Sequence, residues 1–487
     1  MGLVGIFVAL GLLIWLSFRG WSVLLLAPAV AIVAAAFAGE PLLAHWTQTF
    51  MGSAAQFIAQ FFPIFLLGAL FGKLMDDSGS VNAIAQFMSA KFGPRRAILA
   101  VVLAGALVTY GGVSLFVAFF VLAPMARELF RAANIPHRLM PAAIALGTST
   151  FTMSAMPGTP AIQNTIPMPF FGTTPFAAPG LGLVAAAIML AFGLWWLGRV
   201  EASARKSGEG YSGDGYDAEP GAAAAADDQF IRERATSSHE FDPAEIAHGK
   251  RSAVPPPIGT AIVPLVVVVG VNLAMSLLIL PRLDFSFLAQ ERWGETSLAG
   301  VAGVWSVAVA LAAASATLVA LNRARLPALR SSMDAGANAA VLPIFSVASL
   351  VGFGAVVAAL PAFALVRDWV LSISGGPLVS LAIATNVLAA VTGSASGGLT
   401  IALDALGDTY LQIAQASHID PGLMHRIAVI GSGTLDSLPH NGAVVTLLAV
   451  CGSTHRKSYF DMVMANIVGP IIALAVVIAL GSTLGSF

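Results

Sequence analysis

Two glycine- and serine-rich breaks interrupt otherwise apolar sequence: Tyr110-Gly111-Gly112-Val113-Ser114 and Gly393-Ser394-Ala395-Ser396-Gly397-Gly398. If each break is the tip of a helical hairpin, the half-helix after it presents free backbone N–H groups and the positive end of its dipole. Both attract an anion. Glycine lets a ligand approach the backbone, and serine or threonine adds a short donor. Ser114, Thr392, Ser394 and Ser396 are therefore candidate donors to a carboxylate, with Tyr110, Gly111, Gly112, Gly393 and Gly397 shaping the approach. The competing use of such a patch is close helix packing through small residues. Two patches at matching positions favour the ligand role.

A second pair of breaks is richer in proline. One is Met156-Pro157-Gly158-Thr159-Pro160 through Asn164; the other is Ser437-Leu438-Pro439-His440-Asn441-Gly442. They offer Thr159, Gln163 and Asn164 in the first, and Ser437, His440 and Asn441, with Asp436 just before, in the second. Ionisable side chains at membrane depth are functional candidates by default. His440 changes charge near neutral pH, so it is a candidate to carry a coupled proton or pair with a bound carboxylate. Asp436 is the alternative proton carrier, and a neutral histidine satisfied by loop backbone is the other use of His440. Asp404 and Asp408, four apart, share one helix face; they suit a cation relay or a face that meets water. Asn272 and Asn386 read as interhelical hydrogen-bonding amides.

The elements that must position these groups follow from composition. The chain has 487 residues, 57% hydrophobic and 10% charged, where a soluble domain carries about 25% charged. Its mean hydropathy is +0.85. A net charge of −1 gives no basic footprint for nucleic acid. The single cysteine, Cys451, excludes a disulfide framework and a cysteine-based metal cluster. No P-loop or HExxH motif is present, and Gly431-Ser432-Gly433 follows no strand, so it reads as helix packing rather than a nucleophile elbow. No enzyme activity, metal or cofactor is expected. The fold class is an all-α polytopic membrane protein. Residues 1–17 hold no Lys or Arg, so the N-terminus reads as a span and not a cleaved signal.

The stretch 200–256, rich in Gly, Ser, Ala and acidic residues, reads as a flexible cytoplasmic linker between a first half, 1–199, and a second half, 257–487. The positive-inside rule orients the whole. With hairpins at about 95–135 and 377–417 that return to their own side, only Arg282, Arg292, Arg367 and Arg426 of the 24 basic residues fall outside. Both termini are then outside.

The halves repeat. Pro63-Ile64-Phe65 returns as Pro343-Ile344-Phe345, and Asn134-Ile135-Pro136-His137-Arg138-Leu139-Met140 aligns with His418-Ile419-Asp420-Pro421-Gly422-Leu423-Met424. Pro157 and Pro439 stand in the same relation, as do the two glycine breaks. The topology puts one glycine break toward each side, so the repeats are inverted. Inverted repeats with broken helices are a signature of secondary transporters, because one fold in two orientations supplies both access states. A passive channel, or a membrane sensor using the linker as its output, are the rivals from other classes.

The sequence resembles the gluconate:proton symporter (GntP) family of the ion transporter superfamily. The resemblance rests on Gly72-Lys73-Leu74-Met75 to Gly79, Lys91-Phe92-Gly93, Gly393-Ser394-Ala395, and Val429-Ile430-Gly431-Ser432-Gly433 leading to His440-Asn441. It implies proton-coupled uptake of a small hydroxy-carboxylate. It also implies a homodimer with a fixed scaffold and a mobile transport domain, working as an elevator in a bacterial inner membrane. The first loop departs from the sugar-acid members, which carry a His there. Its flanks, Met153, Met156 and Ile162, suit a smaller and more apolar substrate, and the sequence is similar to the family's 3-hydroxybutyrate permease branch. Gluconate, or a di- or tricarboxylate taken up with sodium, are the alternative cargoes. The expected substrate residues are Tyr110, Gly111, Gly112, Ser114, Pro157, Gly158, Thr159, Asn164, Gly393, Ser394, Ser396, Gly397, His440 and Asn441, with His440 and Asp436 for the proton.

Overall fold

The computed structural model describes residues 1–19, 21–212, 252, 254–439 and 441–487. Among these the chain is helical with no strand, as the composition requires. The first half contains α1 (Gly2–Phe18), α2 (Val23–Ala38), α3 (Leu42–Asp77) and α4 (Ser80–Phe92). Next come the hairpin arms α5 (Ala97–Tyr110) and α6 (Leu115–Ala132). A broken segment follows, formed by α7 (Met140–Thr148), α8 (Phe151–Ser154), α9 (Ile162–Thr165) and α10 (Pro167–Phe171), and α11 (Pro179–Ser207) ends the half.

The second half contains α12 (Ile258–Arg282), α13 (Leu298–Arg325), α14 (Leu329–Ala359) and α15 (Phe363–Leu371). Its hairpin arms are α16 (Gly376–Thr392) and α17 (Ala395–Ala416). Its broken segment is α18 (Pro421–Ser432) and α19 (Gly442–Cys451), and α20 (His455–Leu484) closes it. Among the described residues six helices, α3, α11, α12, α13, α14 and α20, are long and apolar enough to span a bilayer. At 14 residues α5 rises about 21 Å, short of the ~30 Å hydrocarbon core. The chain bends by 99° between α4 and α5, at Gly93 with φ +60°, which sets α4 across the hairpin.

The order of elements is the same in both halves, and so is their packing. α2 packs on α14 and its counterpart α13 packs on α3; α6 packs on α19 and its counterpart α17 packs on α10. Exchanged contacts of this kind are what a two-fold relation between repeats produces. The backbone repeats too. Asn134 and His418, at matching positions, both take the left-handed conformation, with φ +51° and +53°. The next residue then closes the helix end identically, Ile135 N–H donating to Phe130 O (2.9 Å) and Ile419 N–H to Ala414 O (2.8 Å).

Lipid is as apolar as leucine, so helices associate in it through close packing rather than water release. Glycines at the contacts allow this. A Cβ on Gly147 of α7 would lie 2.4 Å from Val102 O of α5, and one on Gly398 of α17 would lie 2.3 Å from Ala389 N of α16. Gly431 meets Thr385 in the same way, so the Gly-Ser-Gly stretch is indeed a packing element.

Three expectations are corrected. Arg426, counted among the external basic residues, is fully buried within α18. Lys73, counted among the cytoplasmic ones, is buried at the end of α3 and paired with Asp77 at 2.8 Å. In both cases a charge that finds partners inside the protein escapes the rule for loop charges. The helix expected to end before residue 200 continues as α11 to Ser207, where Gly208 caps it in the left-handed conformation. Residues 213–251 and 253 of the expected linker lie outside the described residues.

Candidate functional site

The hairpin tips fall where the glycine breaks are. α5 stops at Tyr110 and α6 resumes at Leu115; α16 stops at Thr392 and α17 resumes at Ala395. Gly112 (φ +95°) and Gly393 (φ +65°) make the turns. The two tips are used differently. Ser394 is the N-cap of α17, and its hydroxyl accepts from Gly397 N–H (3.2 Å) and meets Ser396 Oγ (3.2 Å). Ser114 is the N-cap of α6, but its hydroxyl caps nothing in that helix.

Ser114 instead lines a cavity of about 220 Å³. The walls are the first hairpin tip (Gly112 to Phe116), the first broken segment (Met153, Pro160 to Gln163), α3 (Ile64, Phe65, Gly68, Ala69), α14 (Ala339, Ala340, Pro343, Val347) and Ser396 of the second tip. The repeated Pro-Ile-Phe motif thus supplies residues from both halves, Ile64 and Phe65 from one and Pro343 from the other. A second, smaller cavity of about 30 Å³ shares Leu115, Met153 and Gln163 with the first. Asp436, Ser437, Asn441, Ser149 and Asn466 add polar atoms to its lining. No Lys or Arg lines either cavity among the described residues.

The first broken loop is fastened on every side. Tyr110 Oη donates to Pro157 O (2.8 Å), and Asn272 Nδ2 donates to Gly158 O (3.0 Å). Asn164 Nδ2 donates to Thr159 O and Pro175 O, both at 3.0 Å. Its Oδ1 accepts from Arg426 Nη1 (3.2 Å) and is 3.2 Å from His425 Nε2. His425 Nδ1 meets Thr173 Oγ1 at 2.6 Å. Arg426 also donates to Ala177 O (2.8 Å from Nη2) and to Ser154 O (3.4 Å). A buried guanidinium whose fork is spent on carbonyls is a staple rather than an anion receptor.

The second loop is tied by Asn441. Its Oδ1 caps α19 by accepting from Ala443 N–H (2.7 Å), and its Nδ2 donates to Gly393 O (2.7 Å) at the second hairpin tip. Thr434 Oγ1 donates to Asn386 Oδ1, joining this loop to α16.

The expected site residues therefore separate. Gly112, Ser114 and Ser396 line the larger cavity, and Asn441 and Asp436 line the smaller one. Tyr110, Pro157, Gly158, Thr159 and Asn164 build the loop that walls the first. Gly111 lies against Leu265 and Gly397 against Leu350, each too close for a Cβ. Gly393 and Ser394 form the second tip. His440 lies outside the described residues. Asp404 and Asp408 sit on an exposed face of α17 and line neither cavity. Sequence reasoning named Gln163 among the polar groups of the first broken loop but not among the substrate residues; it did not single out Asn466, or count His425 and Arg426 among the polar groups within the membrane. Gln163 and Asn466 carried a signal, an amide within an apolar stretch.

Two hairpins facing two broken helices, with cavities where they meet the long spans, define a secondary transporter. Residues 1–171 match the family model described as GntP family permease. The chain is 41% identical over 484 residues to the uncharacterized transporter YxjC of Bacillus subtilis (strain 168), covering 98% of each. It belongs to the GntP permease family. Its fold is similar to the solved structure of Neisseria gonorrhoeae MtrF, presented as illuminating a class of antimetabolite efflux pumps. That likeness has a TM-score of 0.52 and 13% identity over 91% of this chain and 85% of that one.

Proposed function

We propose that this permease is a proton-coupled symporter of a short hydroxy-monocarboxylate, best matched by 3-hydroxybutyrate. The observation that carries this reading is the larger cavity: apolar walls, a few hydroxyl and amide groups, and no cationic side chain among its described residues. A buried charge needs compensation, so one carboxylate suits these walls better than two or three. Gluconate would leave several hydroxyls unpaired, each costing about 1–3 kcal/mol. Ser114, Ser396 and the amide groups at the first tip would hold the carboxylate, and Gln163 the hydroxyl.

The cavity lies between the hairpin-bearing elements and the long spans α3 and α14, which suits an elevator in which the hairpins slide past a scaffold. Each half crosses the membrane five times if its hairpin returns to its own side. An odd number inverts the second half relative to the first, with both termini outside and the linker in the cytoplasm. A homodimer in a bacterial inner membrane completes the proposal, with His440 or Asp436 carrying the proton and no cofactor. Uptake of labelled 3-hydroxybutyrate into proteoliposomes under an imposed pH gradient tests it. Accumulation should follow the gradient; uptake indifferent to pH but dependent on sodium would replace the coupling ion, and no uptake would remove the substrate.

A further inference from the structure

We infer that Asn272 of α12 is a positioning residue that latches the carrier in one of its two access states, through its hydrogen bond to the first broken loop. This deepens the transporter reading and rests on the hairpins sliding past the long spans. Asn272 is fully buried. Its Nδ2 donates to Gly158 O (3.0 Å), and its Oδ1 accepts from Ser276 Oγ (3.4 Å), which sets the end of the amide that meets the loop. Gly158 takes φ +79°, and a Cβ there would lie 2.5 Å from the Phe176 ring. The carbonyl is therefore aimed by a backbone that only glycine fits.

Two consecutive carbonyls of this loop are held by different parts of the molecule. Pro157 O accepts from Tyr110 Oη (2.8 Å) at the first hairpin tip, so that bond travels with the hairpin. Gly158 O is held by α12, which packs chiefly on α13 and through it on α3. α12 thus belongs with the long spans. Leu265, two turns before Asn272 on the same face, fills the notch left by Gly111 at the hairpin tip, where a Cβ would lie 2.2 Å from its Cδ2. One face of α12 therefore grips both the tip and the loop, and of these two contacts only the amide one is directional. A shift of about 1 Å takes a 3.0 Å contact outside hydrogen-bonding range, whereas a leucine can repack. A sliding hairpin must break the Asn272 bond and keep the Tyr110 one. α1, which holds the place of α12 in the first half, carries no Asn or Gln. The latch is one-sided: it lowers one access state and has no mirror partner to lower the other.

The test reads the balance between the two states. In the full-length chain, Ser114→Cys puts a thiol in the larger cavity. The native Cys451 is buried, and the chain without Ser114→Cys is the blank. Labelling by a membrane-impermeant thiol reagent is timed from each face, in intact cells and in inverted vesicles. Asn272→Leu in this background should change the ratio of the two rates by about tenfold, the effect of one lost hydrogen bond. Tyr110→Phe, which frees the neighbouring carbonyl, is the control and should leave the ratio in place. If Asn272→Leu is not recovered in the membrane, Asn272→Ala carries the same expectation. An unmoved ratio, including a face that stays silent in both chains, or an equal shift in Tyr110→Phe, overturns the latch. Uptake of 3-hydroxybutyrate by the wild type separates the two readings. The expected shift without uptake keeps the latch and sinks only the substrate; intact uptake with an unmoved ratio sinks only the latch.

Discussion

Arg426 Nη1 donates to Asn164 Oδ1 at 3.2 Å, joining a helix of the second half to the broken loop of the first across 262 positions of sequence. The same guanidinium holds the carbonyls of Ser154 and Ala177. The loop that walls the candidate substrate cavity is therefore set by a residue from the opposite repeat.

Arg426→Ala should cost at least about 3 kcal/mol, because it strands several buried acceptors at once. Arg426→Lys should recover little of this, since a single ammonium cannot reproduce the planar fork. Thermal unfolding of the detergent-solubilised variants measures both.

The two tip serines should give opposite phenotypes. Ser114 faces the cavity and caps nothing, so Ser114→Ala should raise the KM for substrate by about tenfold with stability within about 0.5 kcal/mol of wild type. Ser394 caps α17 through Gly397 N–H, so Ser394→Ala should lower stability by about 1 kcal/mol. Transport kinetics and unfolding, measured on both variants, separate the roles.

Gly398→Ala presses a methyl group onto the backbone of Ala389, 2.3 Å from its nitrogen. The arms of the second hairpin must part, at about 1–3 kcal/mol. Ala389→Gly in the same chain leaves the clashing atoms in place, since they are backbone, and should not rescue it. A double variant that regains wild-type stability would contradict this.

Arg138 grips Glu209 through two contacts, 2.8 and 3.2 Å, and Asp461 through a third at 2.7 Å. The guanidinium beside Glu209 holds its carboxyl below the ordinary value of 4.5. A depressed carboxyl stabilises the fold above that ordinary value and loses the effect as pH falls through its folded value. The stability difference between wild type and Glu209→Gln should thus be constant above pH 4.5 and vanish in acid. Because Glu209 and Arg138 are both partly exposed, the difference should also shrink in high salt.

The repeat was readable before the structure because it rests on residues with strong backbone demands. Asn134 and His418 occupy left-handed positions few side chains accept, and the glycine breaks and loop prolines punctuate helices wherever they fall. Arg426 was misplaced for a different reason. Charge-counting assigns arginine to loops, and nothing local in Leu423-Met424-His425-Arg426-Ile427 says that the opposite half will supply carbonyls to it. Asn164 was singled out as a polar group at membrane depth. Whether its amide serves a ligand or its own loop depends on partners 261 and 262 residues away, which no local pattern encodes.

The fastening between halves has a consequence for how the chain can be cut. The cross-half contacts described, α2 with α14, α3 with α13, and Arg426 with the first loop, all involve residues outside 213–251. Severing the chain there removes none of them. Two fragments made from separate genes in one cell would each bring the missing fasteners of the other, and should reassemble into a working carrier, while either fragment alone would lack the wall of its own binding chamber.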